Sequence, residues 1–270
     1  MRIYNNVNAV STQNSLATAS QSMGKSLEKL STGLRINRAA DDAAGLSVSE
    51  GLRSQIRGSQ MGQRNANDGL AMLQIAESGT DEITNSLQRM RELAIQSSNG
   101  TYTNTDRNYI QAEFTALKSE ITRIAQATTY NSVALLSVTS TFSFQVSAAS
   151  SGASSTVSFT VANDLSADLT LGSVATQTGA QAAVASIDIA LGSVLSMRSD
   201  VGASMNRLEK TVANLGNAIT NMTDAESRIR DTDFATETTQ FTRNQILTNS
   251  AQSMLAQANQ LPQGVLSLLR

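Results

Sequence analysis

The chain has no cysteine, no histidine and no tryptophan, and a single proline among 270 residues. Without cysteine there is no disulfide and no thiol nucleophile. Without histidine there is no imidazole base, and zinc sites built on either ligand are excluded. Any catalysis would fall to Ser, Lys, Tyr or carboxylates. Aromatic residues make up 4% of the chain, too few for a compact core built on rings, and the near absence of proline permits long uninterrupted helices. Charge is balanced, with 20 basic residues against 22 acidic ones. No basic cluster is dense enough to track phosphates, which argues against nucleic acid as a partner. No run approaches the roughly 20 apolar residues of a membrane span, and the opening "MRIYNNVNAV" lacks the apolar stretch of a secretory signal. Export, if it occurs, is expected to use another route, and no disulfide could lock the chain against being threaded through a channel.

What is present is helical spacing. Val184, Ile187, Leu191, Val194, Arg198, Val201, Met205, Leu208, Val212, Leu215, Ile219, Met222, Glu226 and Ile229 alternate steps of three and four, with only Arg198 and Glu226 interrupting the apolar stripe. Sustained over so many heptads, the repeat predicts a coiled-coil helix on the order of 70 Å long. Leu247, Ala251, Met254, Ala258, Leu261, Val265 and Leu268 repeat the spacing to the end, so the apolar "VLSLLR" belongs to a seam rather than a tail.

The N-terminal half carries helices of its own. Ile3, Val7, Val10 and Ala17, then Leu16, Met23, Leu27, Leu30 and Leu34, form a stripe that slips near residue 16. Leu73, Ala76, Thr80, Ile83, Leu87, Met90 and Ala94 form a second, with Leu93 flanking it and expected to be partly exposed. Ile110, Phe114, Leu117, Ile121 and Ile124 form a third. Between the last two, "SSNGTYTNTD" is a turn, with Asp106 a candidate helix N-cap. Residues 137–180 hold no Lys or Arg and are rich in Ser and Thr. Phe142, Phe144 and Val146, then Val157, Phe159 and Val161, alternate with polar residues around "AASSGASS", which predicts a β-hairpin; Leu169 and Leu171 are candidates for a third strand. Disorder is the competing reading of that segment.

The terminal stripes are padded with small residues and one face wide, so a single helix pair would be marginal. Two arrangements bury them: an intramolecular bundle whose ends close on each other, or self-assembly with other copies of the chain.

Several stretches bear on that choice. "LEKLSTGLRINRAADDAAGLSVSEGLRSQIRG", "QRNANDGLAMLQIAE", "NSLQRMRELAIQSSNGT" and "YIQAEFTALKSEITRIA" resemble the N-terminal conserved region of bacterial flagellin, and "SRIRDTDFATETTQFTRNQILTNSAQSMLAQANQLPQGVLSLLR" resembles its C-terminal one. The resemblance spans about 1–136 and 184–270. It implies a minimal flagellin, mainly α, with long antiparallel coiled-coil helices forming a rod and a small β-hairpin insertion about residues 137–180. Residues 1–42 and 231–270 would form the inner core domain and 43–230 the rod domain. The implied role is a structural subunit, not an enzyme, that polymerises into the flagellar filament for motility. Its implied partners are other copies in a helical homopolymer, a flagellar export chaperone, the filament cap, hook-filament junction proteins and vertebrate innate immune receptors. Type III export would leave it secreted, in the extracellular flagellum. No cofactor, metal or catalytic residue is implied. Hook-filament junction proteins share part of the terminal pattern. An exported amphipathic-helix protein acting at a host membrane is a reading from another class, disfavoured by polar faces without Lys enrichment or Trp.

Single motifs follow from that frame. Arg35, Arg38, Asp41 and Asp42 are set against Arg228, Arg230, Asp231 and Asp233 as a polar joint between domains, whose cross-pairs would rearrange as the filament changes form; a solvated linker is the alternative. "RNANDG", residues 64–69, is turn-prone by propensity and helical by resemblance, with Asn67 and Asp68 facing outward. In "YNSVALL", Ser132 replaces the family's usual glycine, while Asn131 tolerates a left-handed turn. Arg89, Leu93 and Glu113 resemble the intersubunit face that the vertebrate Toll-like receptor also contacts, and the terminal Val265, Leu266, Leu268, Leu269 and Arg270 resemble the element sensed by inflammasome receptors.

Overall fold

The computed structural model describes residues 6–147, 155–161 and 171–268, with side chains described as far as residue 260. Five helices account for most of it: α1 (Val7–Thr32), α2 (Ala43–Ser98), α3 (Asn104–Ala127), α4 (Gln177–Arg230) and α5 (Phe234–Leu268). Four short strands form two antiparallel pairs, β1 (Thr129–Tyr130) with β2 (Val133–Ala134) and β3 (Ser140–Gln145) with β4 (Thr156–Val161). The chain divides into two compact units, residues 1–54 with 221–270, and residues 55–220. The borders expected at 42/43 and 230/231 fall at helix ends, whereas this division falls inside α2 and α4.

In the unit of residues 55–220 the helices are antiparallel neighbours. Asp81 and Arg91 on α2 meet Arg198 and Asp188 on α4 at 3.0 and 2.7 Å, and Arg89 meets Glu113 on α3 at 2.9 Å. All seven residues of the expected α2 stripe, Leu73 through Ala94, are buried, the Thr80 hydroxyl donating to the Glu77 carbonyl at 2.8 Å. Phe114 and Ile121 of α3 and Ile187, Val194, Val201 and Leu208 of α4 complete the core, with Met72, Met90 and Met197 filling space that rings take elsewhere. One 18-residue window of α4 has mean hydropathy 1.5, enough by length and composition to cross a membrane. The sequence-level expectation of no such stretch is corrected to that extent; the apolar face of this segment packs in the three-helix core.

The α2–α3 connection corrects a second expectation. Thr103, not Asp106, is the N-cap of α3: its hydroxyl accepts the Asp106 N–H, while the Asp106 carboxylate accepts the Thr103 N–H at 3.0 Å, a capping box with Asp106 at its third position. The Thr103 hydroxyl, which also donates to the Asp106 carboxylate at 2.7 Å, and after it the Thr103 N–H hold the Asp106 pKa below its ordinary value.

The hairpin takes the expected register. Phe142 pairs with Phe159, their rings 6.4 Å apart, and Phe144 with Val157, so one face is apolar save for Ser140, which stands opposite Val161. It lies against α2 because α2 is locally bare. A Cβ on Gly69 would stand 2.9 Å from the Phe144 ring, and one on Gly62 would stand 2.6 Å from the Val146 carbonyl oxygen. Asn65 donates its side-chain amide to the Gln145 carbonyl at 2.9 Å. "RNANDG" is thus helical, and its small and amide residues seat a strand; Asn67 and Asp68 are exposed. Most of "AASSGASS" and Leu169 lie outside the described residues. Leu171 is buried but in no strand. Asn131 and Ser132 both have left-handed backbones, φ 49° and 64°, closing the β1–β2 turn without glycine.

Candidate assembly surfaces

In the unit of residues 1–54 and 221–270, α1 and α5 pair along their length, antiparallel: Lys29 faces Glu237 at 3.6 Å and the Asn6 amide donates to the Ala258 carbonyl at 2.8 Å. α1 begins where the Asn6 side chain accepts the Ala9 N–H and ends at Gly33, whose φ of 72° lets its N–H turn back to the Lys29 carbonyl. The covered face of α1 is Ala9, Thr12, Leu16, Ala19, Met23, Ser26 and Leu30; that of α5 is Glu237, Phe241, Asn244, Thr248, Ala251, Leu255 and Ala258. Each is an unbroken alternation of three and four, but a polar and small-residue one.

The seam expected from the sequence is therefore shifted. Ala251 and Ala258 belong to it, whereas Leu247 is 50% and Met254 61% exposed on its flank. On α1, Val7, Val10 and Leu27 are likewise exposed, while Leu16, Met23 and Leu30 turn inward. Two helices alone bury one narrow face each, shared here between small or polar residues and a few large ones such as Leu16, Met23, Leu30, Phe241 and Leu255, and the remaining large apolar residues stay outside. The side chains of Leu261, Val265, Leu266 and Leu268, along with Ile3, Leu269 and Arg270, lie outside the description, although α5 itself continues to Leu268.

At the foot of this pair the two segments that carry the eight charged joint residues meet, but not through cross-pairs of those residues. The strands of chain are joined by backbone: Arg35 N–H donates to the Arg230 carbonyl at 2.6 Å and Thr232 N–H to the Gly33 carbonyl at 3.0 Å, with the Arg35 guanidinium reaching the Ile229 carbonyl. The carboxylates serve the local chain. Asp42 caps α2 by accepting the Gly45 N–H, and Asp233 caps α5 by accepting the Ala235 and Thr236 N–H groups. Asp41 accepts from Asn37 and Arg38, and Asp231 from the Ser227 hydroxyl. Arg38 pairs with Glu28, and Arg228 is exposed. The expected rearranging pairs between these two groups are thus not formed in this structure. An ion network that periodicity did not single out stands beside them: Arg230 holds Glu50 at 2.8 Å, Glu50 holds Arg53 at 2.7 Å, and Arg53 reaches Glu226 at 3.8 Å. Hydrogen bonds from Arg230, then Arg53, keep the Glu50 pKa below its ordinary value. Glu226, the charge that breaks the α4 stripe, was the signal for it.

On the other unit, Arg89 and Glu113 are both about half exposed and paired, with Glu92 as a second acceptor at 2.9 Å. Leu93 does not share that surface. It is 2% exposed, because α2 packs against both α3 and α4 and so buries a face wider than one heptad stripe.

The two halves of the chain were compared with known families. Residues 3–141 match the bacterial flagellin N-terminal helical region and residues 184–269 the bacterial flagellin C-terminal helical region. The chain belongs to the bacterial flagellin family. It is 47% identical over 274 residues to a flagellin of Halalkalibacterium halodurans, and 42% identical over 288 residues to the flagellar filament 33 kDa core protein of Treponema phagedenis, in each case across the whole of both chains. A flagellin of Bacillus subtilis is 41% identical, again across both chains entire. Among solved structures, the crystal structure of Bacillus cereus flagellin covers 60% of this chain and 94% of its own at 30% identity and a TM-score of 0.51. A putative flagellar hook-associated protein from Vibrio parahaemolyticus shares the fold, with a TM-score of 0.60 at 15% identity over 71% of this chain. The flagellins are structural proteins, and the pairing of the two matched regions is where this family member brings its ends together.

Proposed function

We propose that the chain is a structural subunit that polymerises into the bacterial flagellar filament, with no catalytic step. The observation that carries this reading is the exposure of four large apolar side chains on the α1–α5 pair, Val10, Leu27, Leu247 and Met254, each half exposed or more. A stable monomer gains nothing from exposing them, and other copies of the same pair would cover them. In this reading residues 1–42 and 231–270 form the inner core of the filament and 43–230 its outer rod. The chain is exported by the flagellar type III route with a chaperone on α5, and it meets the cap and the hook-filament junction proteins at the filament's two ends. Arg89 and Glu113 supply the polar part of an intersubunit face that vertebrate innate receptors can also engage, and the residues from Val265 onward supply a second sensed element. Seeded or salt-induced polymerisation followed by negative-stain electron microscopy tests the proposal. Long uniform filaments are expected; soluble oligomers, or leakage of liposomes in place of filaments, would overturn it.

A further inference from the structure

Asn99 and Gly100, the sole Asn-Gly pair in the sequence, lie exposed in the loop between α2 and α3. The Asn99 Oδ1 accepts the Thr101 N–H at 3.3 Å, which holds the carboxamide toward the following residues and polarises it. Gly100 brings no side chain to shield its own nitrogen, and a Cβ there would meet nothing nearer than the Gln177 amide at 3.9 Å. Beneath this loop sits Arg107, only 6% exposed. Its Nε donates to the Ser97 carbonyl at 2.9 Å, its Nη1 to the Asn104 Oδ1 at 3.1 Å and its Nη2 to the Asn99 carbonyl at 3.0 Å. All three acceptors are neutral. A buried guanidinium whose hydrogen bonds all go to neutral oxygens, with the Asp106 carboxylate near enough to feel its charge but not bonded to it, favours a carboxylate arriving at one of those oxygens.

We propose that Asn99 is a site of spontaneous conversion to isoaspartate and that Arg107 holds the product. The Gly100 nitrogen, losing its proton to solvent, attacks Asn99 Cγ. A C–N bond forms, the bond from Cγ to the side-chain nitrogen breaks, and ammonia leaves, closing a succinimide. Water then opens the ring, so the net change is water in and ammonia out. Opening at the former side-chain carbonyl yields aspartate. Opening at the main-chain carbonyl reroutes the backbone through Cβ and Cγ and frees the old main-chain carbonyl as a carboxylate. That carboxylate contains the oxygen Arg107 already grips, so opening in this direction converts a neutral buried hydrogen bond into a charge-assisted one. The folded protein is therefore biased toward isoaspartate. Of the four asparagines followed by serine, Asn14, Asn85 and Asn249 lie inside helices, where the following amide is committed to the backbone ladder, and Asn131 lies in the β1–β2 turn, before a bulkier residue than glycine.

The test incubates native and urea-unfolded protein in parallel at mildly alkaline pH, then digests both with trypsin. The peptide of residues 92–107, "ELAIQSSNGTYTNTDR", is read by fragmenting mass spectrometry, and isoaspartate is labelled with protein isoaspartate methyltransferase. Conversion at Asn99 rather than Asn104 is expected in the native protein, with a larger isoaspartate share than in the unfolded chain. Gly100→Ala should slow it severalfold, and Arg107→Gln, where circular dichroism shows it folded, should return the product mixture to that of the unfolded chain, read on the peptide of residues 92–118 that trypsin releases once the cut after residue 107 is lost. An Asn99 that stays intact in the native protein while the unfolded chain converts would overturn the site. Equal product mixtures in native and unfolded protein would overturn the role of Arg107.

Discussion

Leu93 and Arg89 are one turn apart on α2 and have opposite surroundings: Leu93 keeps 2% of its surface, whereas the Arg89 side chain keeps 51% and holds Glu113 at 2.9 Å. Leu93→Glu is accordingly expected to unfold the helical core rather than to act on a surface, and Leu93→Ala to cost about 2–5 kcal/mol. Arg89→Ala should leave melting nearly unchanged and act only on intersubunit or receptor contacts. Thermal denaturation of both variants followed by circular dichroism checks the contrast; equal melting temperatures would remove Leu93 from the core.

The glycines of α2 differ in what surrounds them, so one substitution should act with opposite signs. At Gly69 a methyl would meet three Phe144 ring atoms at 2.9 to 3.1 Å, and overpacking there should cost about 1–3 kcal/mol. At Gly51, where nothing lies within 4 Å, the same change should stabilise the helix by about 1 kcal/mol. Urea denaturation of the two alanine variants decides it.

Ser132 holds a φ of 64° in the β1–β2 turn, a conformation that side chains resist. Ser132→Gly should relieve it and raise stability by about 1 kcal/mol, less whatever the freer unfolded chain takes back. A lower midpoint in urea would show that the serine side chain contributes more than the strain costs.

The double variant Leu247→Glu, Met254→Glu changes side chains that the isolated α1–α5 pair leaves 50% and 61% exposed. Monomer helicity and melting should be unchanged while seeded polymerisation fails. Normal filaments would place the intersubunit contact on another face.

Acid should weaken the fold through the carboxylates whose pKa values are lowered by hydrogen bonds in the native state: Glu50 by Arg230, Asp106 by Thr103, Asp233 by Thr236, Asp41 by the Arg38 backbone. For a depressed native pKa the contribution is complete above the unfolded value and is lost as pH falls through the native one. Melting temperature is therefore expected to fall below about pH 4. With no histidine in the chain, the interval from about pH 5 to 8 should be flat. A transition inside that interval would contradict the assignment.

Periodicity alone determined α4, the part of α2 with its buried stripe from Leu73 to Ala94, α3 and the paired faces of the β3–β4 hairpin. Each depends on local spacing, which a single chain displays without knowledge of its neighbours. Which flank of a stripe is covered was decided only by tertiary packing. Leu93 is buried because α2 has two helical partners, and Leu247 and Met254 are exposed because α5 has one, and the same three-and-four spacing precedes both outcomes. The helical state of "RNANDG" and the roles of Asp42, Asp106 and Asp233 were decided in the same way. An amide at Asn65 becomes useful only when Gln145 lies opposite, and a carboxylate becomes a cap rather than an ion-pair partner according to which free N–H groups the fold brings within its reach.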